Sequence, residues 1–467
     1  MSGGIREKKQ SSKDELFAEA PVLEALAAMA VPTIISQLIN LVYNMVDAFF
    51  IGRTGNSYIM AATTITLTMV MLNVAFSNLF GVGCGSLVAR LMGRKDPENA
   101  RRVSAFGVYG AMGLAIIYSA VVGLFMDPVL RLLGASDATI GYARQYALIV
   151  IVIGSLPSIL SLTLAHLLRN AGYSGKASLG LSMGGILNMA LDPLFMFVIL
   201  PRGQEVAGAA IATALSNAIA CIYLLVAYRK ASGEAPLSMV FKDAAALEKR
   251  FIREICSVGV PSAMLTGLFD LANICLNVLS AAHSDLVLAA MGIVMKIERL
   301  PNAVNVGLSQ GMMPIVAYNY AAKNHERMHE VIRKTRIIGL AFAGVSILLF
   351  QCFAGPLSQV FLSTSTDNAE TALQTVAFAA VFLRIRCLAS PVQFINYNSS
   401  FCMQGMGQGK ATMLHTVVRQ FGLYIPLMFL MDRLFGATGL AATLAISETL
   451  SAAFALFLLR RVTREKS

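Results

Sequence analysis

The sequence predicts an all-α membrane protein of twelve transmembrane helices in two pseudo-symmetric six-helix lobes. Three observations predict it. Apolar runs long enough to cross a bilayer recur twelve times, basic residues fall in alternate gaps between them, and the second half of the chain repeats the first. Composition agrees. The chain is 56% hydrophobic and 13% charged, whereas soluble domains carry about 25% charged residues. A soluble globule of this length would lack the polar material to cover its surface.

A span takes roughly 20 apolar residues to cross about 30 Å of hydrocarbon. The runs fall at 25–51, 60–89, 103–126, 140–168, 177–200, 206–228, 254–281, 287–319, 332–353, 370–402, 411–431 and 437–459. The organisation read from them is a tail at 1–24, a first lobe at 25–228, a linker at 229–253, a second lobe at 254–460 and a tail at 461–467. The first 20 residues are polar and lack the apolar core of a cleaved leader. The seven cysteines lie in or beside apolar runs without paired spacing, as small packing residues do.

Loop charge sets the orientation. Arg6, Lys8, Lys9 and Lys13 precede span 1, and Arg90, Arg94, Lys95, Arg101 and Arg102 follow span 2. Basic groups recur after spans 4, 6, 8, 10 and 12, so that 27 of the 37 Lys and Arg lie on one side. The opposite side has Arg53, Arg131, Arg144, Arg202 and Arg433. By the positive-inside rule both termini are cytoplasmic, in the inner membrane of a cell. The net charge of +11 is therefore a topology signal, and nucleic acid is not an expected partner.

Four matches in one order make the repeat. VPTIISQLIN (31–40) resembles VPSAMLTGLF (260–269), and SLVARLMGRKDPENARRV (86–103) resembles MPIVAYNYAAKNHERMHEVI (313–332). GKAS (175–178) resembles GKAT (409–412), and GAAIATALS (208–216) resembles GLAATLAIS (439–447). Six spans per copy give both copies the same orientation, related by an axis along the membrane normal. The basic linker between them is expected to form an amphipathic surface helix. Two lobes around a central cleft suit alternating access.

Charged side chains inside spans cost about 2.5–3.5 kcal/mol each on insertion scales, so each is a functional suspect. In the first lobe these are Asp47, late in span 1, and Asp192, late in span 5. Asn40, Asn44 and Asp47 make one polar stripe, and Asn188 lies one turn before Asp192. Thr213 of span 6 falls at the same depth, and Pro32 can bend span 1 and free a carbonyl. Two carboxylates, amides and a hydroxyl at one level form an oxygen site that can share a proton or hold Na⁺. The plainer reading is that Asp47 braces helix packing and Asp192 opens a loop with Pro193. Duplicates of the two acids fall near Leu276 and Pro426, so the site is not repeated.

The second lobe is basic at depth: Lys296 and Arg299 in span 8, Arg384 and Arg386 in span 10, Arg419 in span 11. Against these five the reading sets two acids, Asp270 and Glu298. Either acids and bases pair to hold helices, or Asp270, Lys296, Glu298, Arg299, Arg384 and Arg386 line a cleft that receives substrate.

His325-Glu326-Arg327-Met328-His329 spells the H-E-x-x-H zinc pattern, but in a basic gap after span 8 rather than inside a span. Gly81, Gly83 and Gly85 open no strand-to-helix turn and suit close helix packing. His166, His283 and His415 stand isolated, as structural histidines do. No phosphate-binding loop or hydrolase elbow is present, so neither ATP drive nor catalysis is expected, and no cofactor or metal beyond a coupling ion.

The segments VPTIISQLINLVYNMVDAFFIGRTG, ILNMALDPLF, AGAAIATALSN, GLSQGMMPIVAYNYAAKN and FCMQGMGQGKATM resemble the multidrug and toxic compound extrusion (MATE) family over nearly the whole chain. The end of span 8 is particularly similar to the branch of staphylococcal multidrug exporters. The resemblance implies twelve helices in two lobes and efflux of a small molecule driven by H⁺ or Na⁺ entry, by a monomer in the bilayer. It implies a coupling cation at Asp47, Asn188, Asp192 and Thr213, with Asn40 and Pro32 nearby. Span 8, with Lys296, Glu298 and Arg299, is more charged than expected of an exporter of cationic drugs. An anionic metabolite or lipid-linked precursor is the alternative cargo.

Overall fold

A computed structural model describes residues 15–362 and 369–464, apart from the side chains of Asp270, Ala369 and Arg464. The basic residues expected in the N-terminal tail, and Lys466, lie outside the described residues. The described residues form helices and no strand.

Long rods follow the apolar runs. In the first half they are α1 (Val22–Arg53), α2 (Ser57–Gly93), α3 (Pro97–Leu124), α4 (Ile140–Ile153, then Ser155–Asn170 after a 48° bend), α5 (Ser174–Ile199) and α6 (Glu205–Ala231). In the second half they are α7 (Lys249–His283), α8 (Asp285–Ala321), α9 (His325–Val360) and α10 (Glu370–Gly405). A last path, Gly409–Thr463, is 55 residues long, far more than one crossing needs. It breaks at Gly436, whose φ of 57° and ψ of −144° leave the helical region, giving α11 and α12 on either side. Among the described residues nine helices are long and apolar enough to cross a membrane, ten with bent α4. α8 has the length, 37 residues, but carries Lys296, Glu298 and Arg299 midway.

Turn chemistry fixes the ends. Asn56 caps α2, Asp96 caps α3 with Pro97 in its first turn, and Asn324 caps α9. Lys95 and Lys323, at matching points of the two halves, both take positive φ (55° and 59°) in the turns before α3 and α9. The repeat read from the sequence thus reappears in backbone geometry.

The core is distributed unevenly, and this positions everything else. At the end where the chain termini lie, one cluster joins both halves, from Val22–Met29 and Val82–Met92 to Phe251–Val258 and Met312–Tyr318. At the far end each half has its own core, one around Ile59, Tyr118, Ile151 and Met196, the other around Leu276, Val294, Phe382 and Leu440. The lobes are fused at the tail end and separate at the other. Small residues make the fusion close. A Cβ at Gly307 would lie 2.8 Å from the Ile34 Cα, one at Gly83 2.8 Å from the Ile255 oxygen, and one at Gly93 would land on the Tyr318 carbonyl. Gly81 and Gly85 press on His166 and Asn170 in the same way, as the helix-packing reading expected.

Polar pins cross the same junction. Arg90 lies 3.6 Å from Glu254, and Gln310 accepts from Gln37 (3.1 Å) and Arg169 (3.5 Å). Ahead of α1, Phe17 is fully buried against Tyr318. Its carbonyl accepts from Asn319 Nδ2 (2.9 Å) and Arg327 Nε (2.8 Å), and Arg327 Nη2 donates to Ala20 O (2.5 Å).

The linker departs from expectation. It holds no amphipathic surface helix: α6 runs to Ala231, α7 starts at Lys249, and between them only Phe241–Ala245 is helical. Gly233 and Pro236 interrupt the pattern. Leu237 is fully buried, and the strand-like segment is tied down by Tyr109 donating to Met239 O (2.8 Å) and Ser238 N donating to Ser104 Oγ (2.9 Å).

Candidate functional site

In the separate far half of the first lobe, α1, α4, α5 and α6 bring oxygen groups together. α5 carries Asn188 and Asp192 on one face, and both are buried, Asp192 completely. Asn188 Nδ2 donates to Asp192 Oδ1 (3.1 Å) and Thr213 Oγ1 (3.3 Å). Asp47 of α1 places its carboxyl group against that of Asp192. Tyr146 of α4 meets Thr213, and Tyr43 of α1 lies close to both acids. Three buried oxygens are left with no hydrogen-bond partner: Asp47 Oδ1, Asp192 Oδ2 and Asn188 Oδ1. None of the ion pairs among the described residues engages either carboxylate.

The backbone around this cluster is irregular. Pro193 sits inside α5 one residue beyond Asp192, so no loop opens there, and a π-helical turn, Phe195–Ile199, follows. A second, Leu148–Ile153, follows Tyr146 in α4 and ends at the bend. Such turns offset side chains from regular helical positions and recur at functional sites. Pro32 of α1 lies within an unbroken helix, one turn beyond Met29, whose carbonyl accepts from Thr33 and Ser174 hydroxyls at 2.8 and 2.7 Å.

The predicted polar stripe of α1 divides. Asp47 turns to α5, while Asn40 and Asn44 stay exposed and bond to each other, Asn44 Nδ2 donating to Asn40 Oδ1 at 3.0 Å. Tyr43 and Tyr146 escaped the sequence reading. Tyrosine in an apolar run carries no charge to mark it, but Tyr43 lies one turn before Asp47 on the same face, and that spacing was available.

The second lobe contains two ion pairs at depth, one partly buried and one fully buried. Arg386 grips Glu298 with Nε (3.0 Å) and Nη2 (2.8 Å). Arg419 grips Glu448 with Nε (3.0 Å) and Nη2 (2.8 Å) and stacks over Tyr397. Asn396 donates to the second oxygen of Glu448 (2.6 Å), and His415 joins that network through Ser400, Asn396 and Ser451. The tally of five bases against two acids overlooked Glu448, buried in α12. Lys296, Arg299 and Arg384 are exposed, Arg384 donating to Gln351 O at 3.3 Å. The Asp270 side chain lies outside the described ones. His325 and His329 have no third ligand: among the described residues no three His, Cys, Asp or Glu side chains converge for a metal.

Known proteins share the sequence pattern and the fold. The MatE family profile covers residues 32–194 and 261–430, one stretch in each lobe. The chain is 30% identical over 464 residues to a protein named multidrug export protein MepA from Staphylococcus haemolyticus (strain JCSC1435), covering 97% of this chain and 98% of that one. It is 29% identical over 450 residues to the protein of the same name from Staphylococcus aureus (strain MSSA476), with 96% of each covered. Among solved structures, an outward-facing multidrug resistance MATE family transporter superposes with a TM-score of 0.89 at 20% identity, over 97% of this chain and 98% of that one. A MATE crystal structure in complex with MaL6 gives 0.89, also at 20% identity, over 97% and 99%. With both lobes matched in sequence and the whole fold superposed, the chain is a multi-pass membrane protein that belongs to the MatE family of multidrug efflux transporters.

Proposed function

We propose that this chain is an antiporter that expels a small organic amphiphile in exchange for H⁺ or Na⁺ entering through the first lobe. The observation that carries the reading is the trio of buried oxygens without partners on Asp47, Asp192 and Asn188. A buried acceptor with no donor costs about 1–3 kcal/mol, and two adjoining carboxylates repel unless a positive charge is shared between them. A proton or a sodium ion offsets both terms. Thr213 and the tyrosines supply further oxygens to an ion and constrain its position.

Alternating access follows from the divided core. The fused tail end is the cytoplasmic gate, shut by the pins around Arg90, Gln310 and Phe17. The parted far end opens to the exterior, and twelve spans put both termini in the cytoplasm. The coupling ion enters from outside, neutralises the carboxylates and lets α1 and α5 pack more closely, which favours release of cargo. Each monomer contains the complete pathway, with no cofactor besides the ion, and works in the cytoplasmic membrane.

The test is substrate movement in proteoliposomes with a sodium gradient and a pH gradient imposed separately. One gradient drives accumulation of an amphiphilic dye against its concentration, and collapse of that gradient ends it. Equal movement with and without any gradient contradicts antiport. A second reading, export of an anionic metabolite or lipid-linked precursor, is favoured by the exposed cations of the second lobe.

A further inference from the structure

Lys296 faces the opening between the lobes, and its position follows from helix geometry. Where α8 touches α1, Gly307 meets Ile34 and Gly311 meets Ala30. The later α8 residue meets the earlier α1 residue, so the two helices run antiparallel. Eleven residues back from Gly307, at 100° each, returns to within about 20° of the same face. That residue is Lys296. Counting the same distance forward from Ile34 reaches Met45, beside Asn44. Lys296 therefore stands across the opening from Met45, two residues before Asp47 and so at the depth of the coupling site.

Among the described side chains none neutralises Lys296. Glu298 lies about 180° from the Gly307 face, turned into the second lobe and held by Arg386. Glu448 is held by Arg419. No hydrogen bond or ion pair joins Lys296 to another described side chain, and it is exposed. One turn inward on the same row, Leu300 is 53% exposed. The cleft thus has an ammonium group beside an apolar step on one wall and the exposed Met45 on the other. An acidic group would be held, its apolar body lying on Leu300.

We propose that Lys296 binds the acidic group of the exported molecule, so that the cargo is an amphiphile bearing a carboxylate or similar anion. This rests on the antiport reading but is measured separately from it. The probes are a fluorescent xanthene dye bearing one carboxylate and its methyl ester, bound to the full chain in nanodiscs, with protein-free nanodiscs subtracted. The carboxylate is expected to bind about tenfold tighter than the ester, the size of one charge-assisted hydrogen bond. Lys296→Gln should bring the ratio near one, Lys296→Arg should keep it, and Lys296→Glu should invert it. An unchanged ratio in Lys296→Gln, or no preference in the wild type, overturns the proposal. Loss of gradient-driven transport of both dyes by the wild type, with the binding ratio intact, would sink antiport and leave Lys296 standing.

Discussion

Replacing Asp47 by Asn separates a cation site from a structural brace, because the two readings predict opposite signs of stability change. Around Asp47 the structure has acceptors in excess: its own Oδ1, Asp192 Oδ2 and Asn188 Oδ1 are buried and lack donors. An amide at position 47 brings two N–H donors to that cluster and removes one of two adjoining like charges. An unsatisfied buried acceptor costs about 1–3 kcal/mol, so satisfying one should stabilise the ion-free protein by about 1 kcal/mol or leave it unchanged. The assay is thermal unfolding of the detergent-solubilised protein across a titration of sodium ion and of pH. A ligand at a hundredfold excess over its Kd adds about 2.7 kcal/mol. The wild type should gain stability with the coupling ion, and Asp47→Asn should not. A variant that unfolds at clearly lower temperature than the ion-free wild type refutes the reasoning, since a brace is what loses stability when its carboxylate goes.

The ion pairs at depth in the second lobe have the opposite character. Arg419→Met strands the Glu448 charge and should cost about 3–5 kcal/mol, whereas Arg419→Met with Glu448→Leu should recover most of it, read from the same unfolding curves. Gly93→Val pushes a side chain onto the Tyr318 carbonyl across the fused end. It should open the tail end, raising the labelling rate of a cysteine placed at Gln310 by a membrane-impermeant thiol reagent applied from that side. Arg327→Ala removes two of the three bonds that pin the Phe17–Ala20 segment and should accelerate proteolysis before Val22, with no effect expected on helices at the far end.

Much of the fold was legible because the bilayer imposes a length and a polarity on every span. The segment limits and the loop charges are consequences of that one constraint, while the repeat showed as four sequence matches in one order. Gly436 shows where it runs short: a single glycine at positive φ divides α11 from α12, and nothing local distinguishes it from the other glycines of the apolar runs. The linker was misread for a related reason. Its basic residues suggested a helix lying on the membrane, but Gly233 and Pro236 interrupt one, and Leu237 finds a pocket against α3 that only the tertiary fold provides.

The carboxylates of the candidate site were legible because charge in a span is expensive, and matching depth brought Asp47, Asn188, Asp192 and Thr213 to one level. What the sequence could not resolve was facing. Asn40, Asn44 and Asp47 share a stripe, yet a helix face is more than 100° wide, and only Asp47 turns to α5. The same limit hid the pairing of Arg419 with Glu448, 29 residues apart, on helices whose contact depends on the break at Gly436.

The most direct test of the coupling site is ion binding by the purified protein. Equilibrium uptake of radioactive sodium, and proton uptake on acidification, should be saturable in the wild type for one of the two ions. The accounted-for ion should be lost in Asp47→Asn and in Asp192→Asn alike, and the double variant should be no worse than either. Saturable uptake that survives both single substitutions would contradict the assignment of the ion to these carboxylates.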